Sequence, residues 1–127
     1  MIVGIGTDIV ETRRIAGALR KFGSRFEEKI LLASERRSGL GDQARAAYLA
    51  RQFAAKEAVA KVLGTGMRSG VHFRTIEVLR NEYGEPRVTL KAGARAAADR
   101  RRITSIKVSI SDEAAYAVAF AVAETEG

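Results

Sequence analysis

The sequence predicts an α+β fold: a single domain over residues 1–127 in which an antiparallel sheet packs on helices and one long helix runs through the centre. Three observations carry that expectation. A short β-branched run opens the chain, helical patterns fill the rest of the first half, and the second half turns to period-two alternation with one further helical stretch. With 127 residues and 46% apolar content there is material for one core and little surplus, so no second domain is expected.

The opening run, Ile2 to Val10, is too β-branched and too short for a good helix and reads as an edge strand, with Asp8 set among Ile5, Ile9 and Val10. A carboxylate in that setting needs a partner. Glu11 or Thr12 then caps a helix to about Phe22, with Ile15, Ala16 and Leu19 inward, an arginine-rich outer side and Gly23 as its stop. Ser24 opens a short amphipathic helix through Phe26, Ile30 and Leu31, and Ser34, Arg36 and Arg37 lead into a loop marked by Gly39 and Gly41. Asp42 is the expected N-cap of the longest helix, from about Gln43 to Leu63, which packs through Tyr48, Leu49, Ala55, Val59 and Val62 and ends at Gly64-Thr65-Gly66.

Thr75 to Arg80 and Arg87 to Leu90 alternate on either side of a turn at Asn81 to Pro86, which is a hairpin signal. Ala92 to Arg101 is Ala-rich with a basic end, as a helix C-terminus favours. Ser105 to Ser111 alternates cleanly, and Ala115 to Ala123 returns as a strand after a turn at Asp112 and Glu113. The unbroken apolar character of Tyr116 to Val122 predicts burial on both faces, the second cover coming from another subunit.

Composition narrows the function classes. There is no cysteine, so neither disulfides nor thiolate metal sites arise. No stretch approaches the ~20 apolar residues that span a bilayer and the N-terminus lacks a leader pattern, which together predict a cytoplasmic protein without membrane attachment. The net charge of +7 is uneven, with eight basic residues against three acids between Thr12 and Arg37, so this segment should attract an anionic partner. Five Phe, three Tyr and no Trp are too few for a nucleic-acid stacking platform, and nucleic acid is not expected as a partner.

Chemistry concentrates in two segments, Gly4 to Glu11 and Phe53 to Lys61. Glu57 and Lys61 fall four apart in an Ala-rich helical stretch and project from one face, with Phe53 on the same stripe. Two acids, Asp8 and Glu57, and the Lys61 ammonium form the composition that holds a hard divalent cation and the phosphates it bridges.

Four motifs in order, GIGTDIVE (Gly4 to Glu11), RQFAAKEAVAK (Arg51 to Lys61) followed by Leu63-Gly64-Thr65-Gly66, NEYGEP (Asn81 to Pro86), and Ser109 to Ser111 ahead of Tyr116 to Ala119, make the chain similar over its whole length to the short bacterial 4'-phosphopantetheinyl transferases, the holo-acyl-carrier-protein synthases. The resemblance implies that family's fold and an enzyme that moves the phosphopantetheine arm of coenzyme A to a serine of an acyl carrier protein, working as a homotrimer with Mg2+. It implies Asp8 and Glu57 as the metal ligands, Asp8, Glu57 and Lys61 as the catalytic group, and Lys61, Gly64, Asn81, Gly84, Pro86 and Ser111 as coenzyme contacts. It leaves the base for the serine proton between Glu57 and a metal-bound water that Glu57 orients. Arg13, Arg14, Arg20, Lys21 and Arg25 become the docking face for the acidic, helical carrier. One departure stands out: the family usually carries a histidine near the coenzyme phosphates where this chain has Asp112, and His72, its single histidine, lies elsewhere.

Plainer readings exist for each feature. Asp8 is also a reasonable helix N-cap, Glu57 with Lys61 an ordinary helix pair, the arginines a solvated face, Gly64-Thr65-Gly66 a C-cap, and His72 a strand-edge residue. A basic RNA-binding module explains the charge without explaining an acid embedded in the first strand. A scaffold that docks an acidic protein without chemistry is the other alternative, with Asp112 as its main support.

Overall fold

In the computed structural model of the chain, which describes residues 1–126, strand β1 (Ile2–Glu11) leads directly into helix α1 (Thr12–Phe22). Gly23 ends α1 as the sequence predicts: it adopts φ 61°, and its N–H closes on the Leu19 carbonyl at 2.8 Å. Helix α2 (Ser24–Ile30), a 3-10 turn (Ala33–Glu35), the long α3 (Asp42–Val62) and a second 3-10 turn (Phe73–Thr75) complete the first half. Strands β2 (Ile76–Arg80) and β3 (Pro86–Leu90) form the expected hairpin, followed by α4 (Ala92–Arg100), β4 (Ser105–Asp112) and β5 (Tyr116–Glu124).

The sheet is split in two. β1, β5 and β4 form an antiparallel three-stranded sheet in that order, and β2 with β3 forms a separate pair. β1 is thus an edge strand, paired to β5 with Asp8 opposite Ala119.

Helix α3 is the centre of the core, buried on nearly every side from Ala46 to Val62. It lies close on the sheet because both partners present small groups. Ala117, Ala119, Ala121 and Ala123 of β5 all face it and are fully buried. Gly4 and Gly6 of β1 do the same, since a Cβ on Gly6 would stand 2.5 Å from the Ala58 carbonyl oxygen.

Two expectations need correction, those for Asp42 and His72. Asp42 is the first residue of α3 rather than its cap: Gly41 occupies the cap position and no side chain bonds the free amides. The segment after α2 makes a 3-10 turn before the expected loop at Gly39 and Gly41, and there Glu35 is drawn into the interior by Lys56 of α3, their side chains 2.6 Å apart and both fully buried. The chain itself buries one face of β5: its alanines face α3 while Tyr116, Val118 and Phe120 face outward, 46%, 37% and 44% exposed, on the side where the sequence expects cover from another subunit. With Ile5 and Ile9 of β1 they make a continuous outer apolar face. His72 also differs, opening the second 3-10 turn, where its N–H donates to Thr75 Oγ1 at 3.1 Å.

Candidate functional site

The close seat of β1 on α3 creates the first part of the site. Side chains alternate along a strand, so Asp8 shares the inward face with Gly4 and Gly6 and meets the last turns of α3. There Asp8 Oδ1 lies 3.4 Å from Lys61 Nζ, and the same ammonium donates to the Thr7 carbonyl at 2.8 Å. The expected Glu57 to Lys61 helix pair is not made: among the described residues the carboxylate within 4.0 Å of Lys61 is that of Asp8.

The second Asp8 oxygen, Oδ2, is buried with no hydrogen-bond partner among the described residues. Burial raises the Asp8 pKa above its ordinary 3.8 despite the opposing pull of Lys61. Glu57 is raised above its ordinary 4.5, first by burial and then by the negative charge of Asp8, again against Lys61. Two carboxylates that feel each other, one with an orphan oxygen, suit a hard divalent cation such as Mg2+. No cluster of three or more His, Cys, Asp or Glu side chains occurs among the described residues, so such a cation would take Asp8 and Glu57 and fill its other positions from water and ligand.

Of the other expected contacts, Gly64 adjoins this group, its amide donating to the Lys61 carbonyl at 3.0 Å, while the rest lie on the β2–β3 hairpin and β4. Asn81 shapes the β2–β3 turn: its Oδ1 accepts the Tyr83 and Glu85 amides, both at 2.9 Å, and its Nδ2 donates to Glu85. Gly84 sits at φ 80° with open space around it, a conformation that favours glycine, and Pro86 begins β3. Ser111 is on the outward side of β4, opposite Val118. Gly64 follows α3 at φ 82°, and a Cβ there would stand 2.9 Å from Arg101 Nη1, which itself donates to the Val62 carbonyl at the helix end. Asp112, the departure from the family pattern, is met by Arg51 of α3 at 3.0 Å. Sequence reasoning missed that partner because 61 residues separate the two.

Helix α1 presents Arg13, Arg14, Arg20 and Lys21 outward, and Arg25 follows on α2. Among the described residues only Arg13 of these five has a carboxylate within 4.0 Å, Glu11 at 3.6 Å. Beside them is an apolar groove of about 1010 Å3 that includes Phe22, Phe26, Phe53 and Phe73, rimmed by Arg25 and Lys29. Phe53, placed by its spacing on the Glu57 stripe, packs instead on Phe73 with ring centres 5.0 Å apart.

A holo-acyl-carrier-protein synthase from Shewanella amazonensis is 46% identical over 121 residues, 95% of this chain and 97% of that protein. The crystal structure of the holo-acyl-carrier-protein synthase from Neisseria meningitidis superposes with a TM-score of 0.87 at 38% identity, covering 98% of this chain and all of that one. That of the Helicobacter pylori enzyme, in complex with coenzyme A, gives 0.81 at 31% identity over 94% of this chain and 99% of that one. The family model for the 4'-phosphopantetheinyl transferase superfamily matches residues 4–121, and the chain belongs to that superfamily.

Proposed function

We propose that this chain, as a cytoplasmic homotrimer, transfers the 4'-phosphopantetheine arm of coenzyme A to a serine hydroxyl of apo acyl carrier protein, releasing adenosine 3',5'-bisphosphate. What supports this activity most directly is the Asp8 carboxylate, held against α3 with a buried, partnerless oxygen beside Glu57 and Lys61. Mg2+ held by Asp8 and Glu57 would supply charge neutralisation for the pyrophosphate. Lys61, half exposed, offers its ammonium to the same phosphates, where it offsets charge gathering on the leaving oxygen. The serine oxygen bonds to the phosphorus that carries pantetheine, the bond from that phosphorus to the bridging oxygen breaks, and Glu57 takes the serine proton.

Two features support a shared site between subunits. Gly84 and Pro86 each line a cleft among the described residues, and Asp8, Glu57 and Lys61 line neither of those two clefts. The outer apolar face of the three-stranded sheet, with Ile5, Ile9, Val118 and Phe120, offers the surface that a closed ring of copies would bury. The carrier docks on the Arg14 and Lys21 face, its acidic helix meeting the basic residues and its apolar ridge the phenylalanine groove.

Incubation with coenzyme A, Mg2+ and apo carrier protein, followed by intact mass spectrometry, tests the reading. Addition of one phosphopantetheine to the carrier is the expected result. Binding of carrier or RNA without mass gain would leave only a docking or nucleic-acid module.

A further inference from the structure

Four arginines, Arg36, Arg37, Arg51 and Arg80, ring a cleft of about 670 Å3 whose floor includes Glu35, Gln52 and Val78. Under that floor lies Lys56. The Lys56 ammonium donates to Glu35 Oε1 at 2.6 Å, to the Ile30 carbonyl at 2.7 Å and to the Phe73 carbonyl at 3.1 Å. Glu35 Oε1 also accepts the Leu32 amide at 2.8 Å, while Oε2 accepts the Val78 amide at 2.7 Å and Gln52 Nε2 at 3.1 Å. Every proton of the ammonium and both carboxylate oxygens are therefore used. One buried pair ties the end of α2, both 3-10 turns, α3 and β2 together.

Sinking two charges costs several kcal/mol per ion, and an apolar pair of similar volume commonly holds a core as well or better. What an apolar pair lacks is direction. The hydrogen bonds around Glu35 fix the strap from Leu31 to Arg37 in one place, and the strap delivers Arg36 and Arg37 to the cleft. The Arg37 guanidinium rests 4.2 Å from the centre of the Tyr48 ring, and the Tyr48 hydroxyl donates to the Glu35 carbonyl. Arg51, 5.8 Å from the same ring, completes the wall. The acids lining the cleft are Glu35, spent on Lys56, and Asp112, paired with Arg51, and Glu28 stands 3.9 Å from Arg36; Arg37 and Arg80 have no carboxylate within 4.0 Å among the described residues, so the cleft keeps an excess of positive charge that suits a phosphate.

We infer that Glu35 and Lys56 are positioning residues for the co-substrate: the buried pair locks the strap so that Arg36 and Arg37 stand beside Arg51, ready for a phosphate of the nucleotide. The inference rests on the proposal that coenzyme A is the co-substrate. Neither residue touches the ligand.

The test compares the wild type with the double variant Glu35→Gln/Lys56→Met, which removes both charges and strands neither, and with Tyr48→Phe, which cuts the hydroxyl tie to the strap from the cleft side. Steady-state transfer gives KM for coenzyme A and kcat, calorimetry gives the affinity for adenosine 3',5'-bisphosphate, and hydrogen exchange follows the Leu32 to Arg37 amides. The double variant should fold, raise KM for coenzyme A about tenfold with kcat within about twofold, and lose protection across the strap. Tyr48→Phe should raise KM about threefold in the same pattern. A folded double variant with wild-type KM and bisphosphate affinity would overturn the inference, as would equal proportional losses in kcat and kcat/KM. If the double variant does not fold, Tyr48→Phe decides: a rise in KM alone supports positioning, and an unchanged KM refutes it. A wild type that binds the bisphosphate but modifies no carrier would sink the transfer proposal while leaving the affinity comparison to judge the strap; one that binds neither coenzyme nor bisphosphate would sink both.

Discussion

Replacing Asp8 by Asn should make the metal-free protein more stable and the magnesium-loaded protein less so. The Asp8 carboxylate is 17% exposed, its Oδ2 has no partner among the described residues, and its Oδ1 is 3.4 Å from a Lys61 ammonium that is itself 50% exposed. An ion pair that long and that wet contributes at most about 1 kcal/mol, whereas a buried polar atom without a partner costs about 1–3 kcal/mol when neutral and more when charged, so an amide there keeps the smaller penalty. The balance leaves the charge unfavourable by about 1 kcal/mol, so Asp8→Asn in chelator should raise Tm by roughly 3–5 °C for a chain of this size. Mg2+ at a hundredfold excess over its Kd adds about 2.7 kcal/mol to the wild type and reverses the order. The pH dependence has a fixed sign. Asp8 and Glu57 hold protons more tightly folded than unfolded, so the metal-free wild type loses stability as pH rises past their ordinary 3.8 and 4.5 and through their raised values, and Asp8→Asn flattens that slope. Differential scanning fluorimetry across pH, with and without Mg2+, reads all of this. If Asp8→Asn melts below wild type in chelator, or if Mg2+ raises both proteins equally, the carboxylate is a structural ion-pair partner and the cation site is lost from the proposal.

Three further outcomes are expected. Gly6→Ala places a methyl 2.5 Å from the Ala58 carbonyl and 3.0 Å from Lys61 Cβ, so β1 must lift from α3, costing about 2 kcal/mol by denaturant melt and lowering transfer at least about tenfold as Asp8 moves away. Reversing Arg14 and Lys21 to Glu should cut kcat/KM for the carrier about tenfold or more with KM for coenzyme A unchanged, and the wild-type rate at limiting carrier should fall with added salt; an unaltered carrier dependence would put docking elsewhere. Phe120→Asp changes an outward side chain that a monomer tolerates within about 0.5 kcal/mol, so a shift to smaller species in sedimentation with loss of transfer marks that face as the subunit contact, and a fully active variant of unchanged mass would contradict it.

Local chemistry was legible in the sequence, and long-range partnership was not. The α1 boundaries, the β2–β3 hairpin and the long helix follow from glycines, turn residues and periodicity that act over a few positions. The meeting of Asp8 with α3 was foreseeable from residue types but not from geometry, because Gly4 and Gly6 reveal their purpose only once the strand is laid on the helix. Lys56 and Glu35 read as ordinary solvated charges 21 residues apart. One signal was available: Lys56 shares a helical stripe with Leu49, Gln52, Val59 and Leu63, all buried, whereas its neighbour Glu57 shares one with Lys61. In the β5 run, continuous apolarity hides an alternation of alanine inward and large residue outward.

That alternation gives the newly made chain a hazard. β5 spends its smallest side chains on the core and its largest on the outside, so folding a single copy leaves Val118, Phe120 and Tyr116 on a pleated surface beside Ile5 and Ile9 of an edge strand. Such a surface invites irregular strand-to-strand clumping before it meets a proper mate. In the proposed trimer, yield in a cell then depends on how quickly copies find one another, and variants that slow this meeting while keeping the face apolar should accumulate in inclusion bodies.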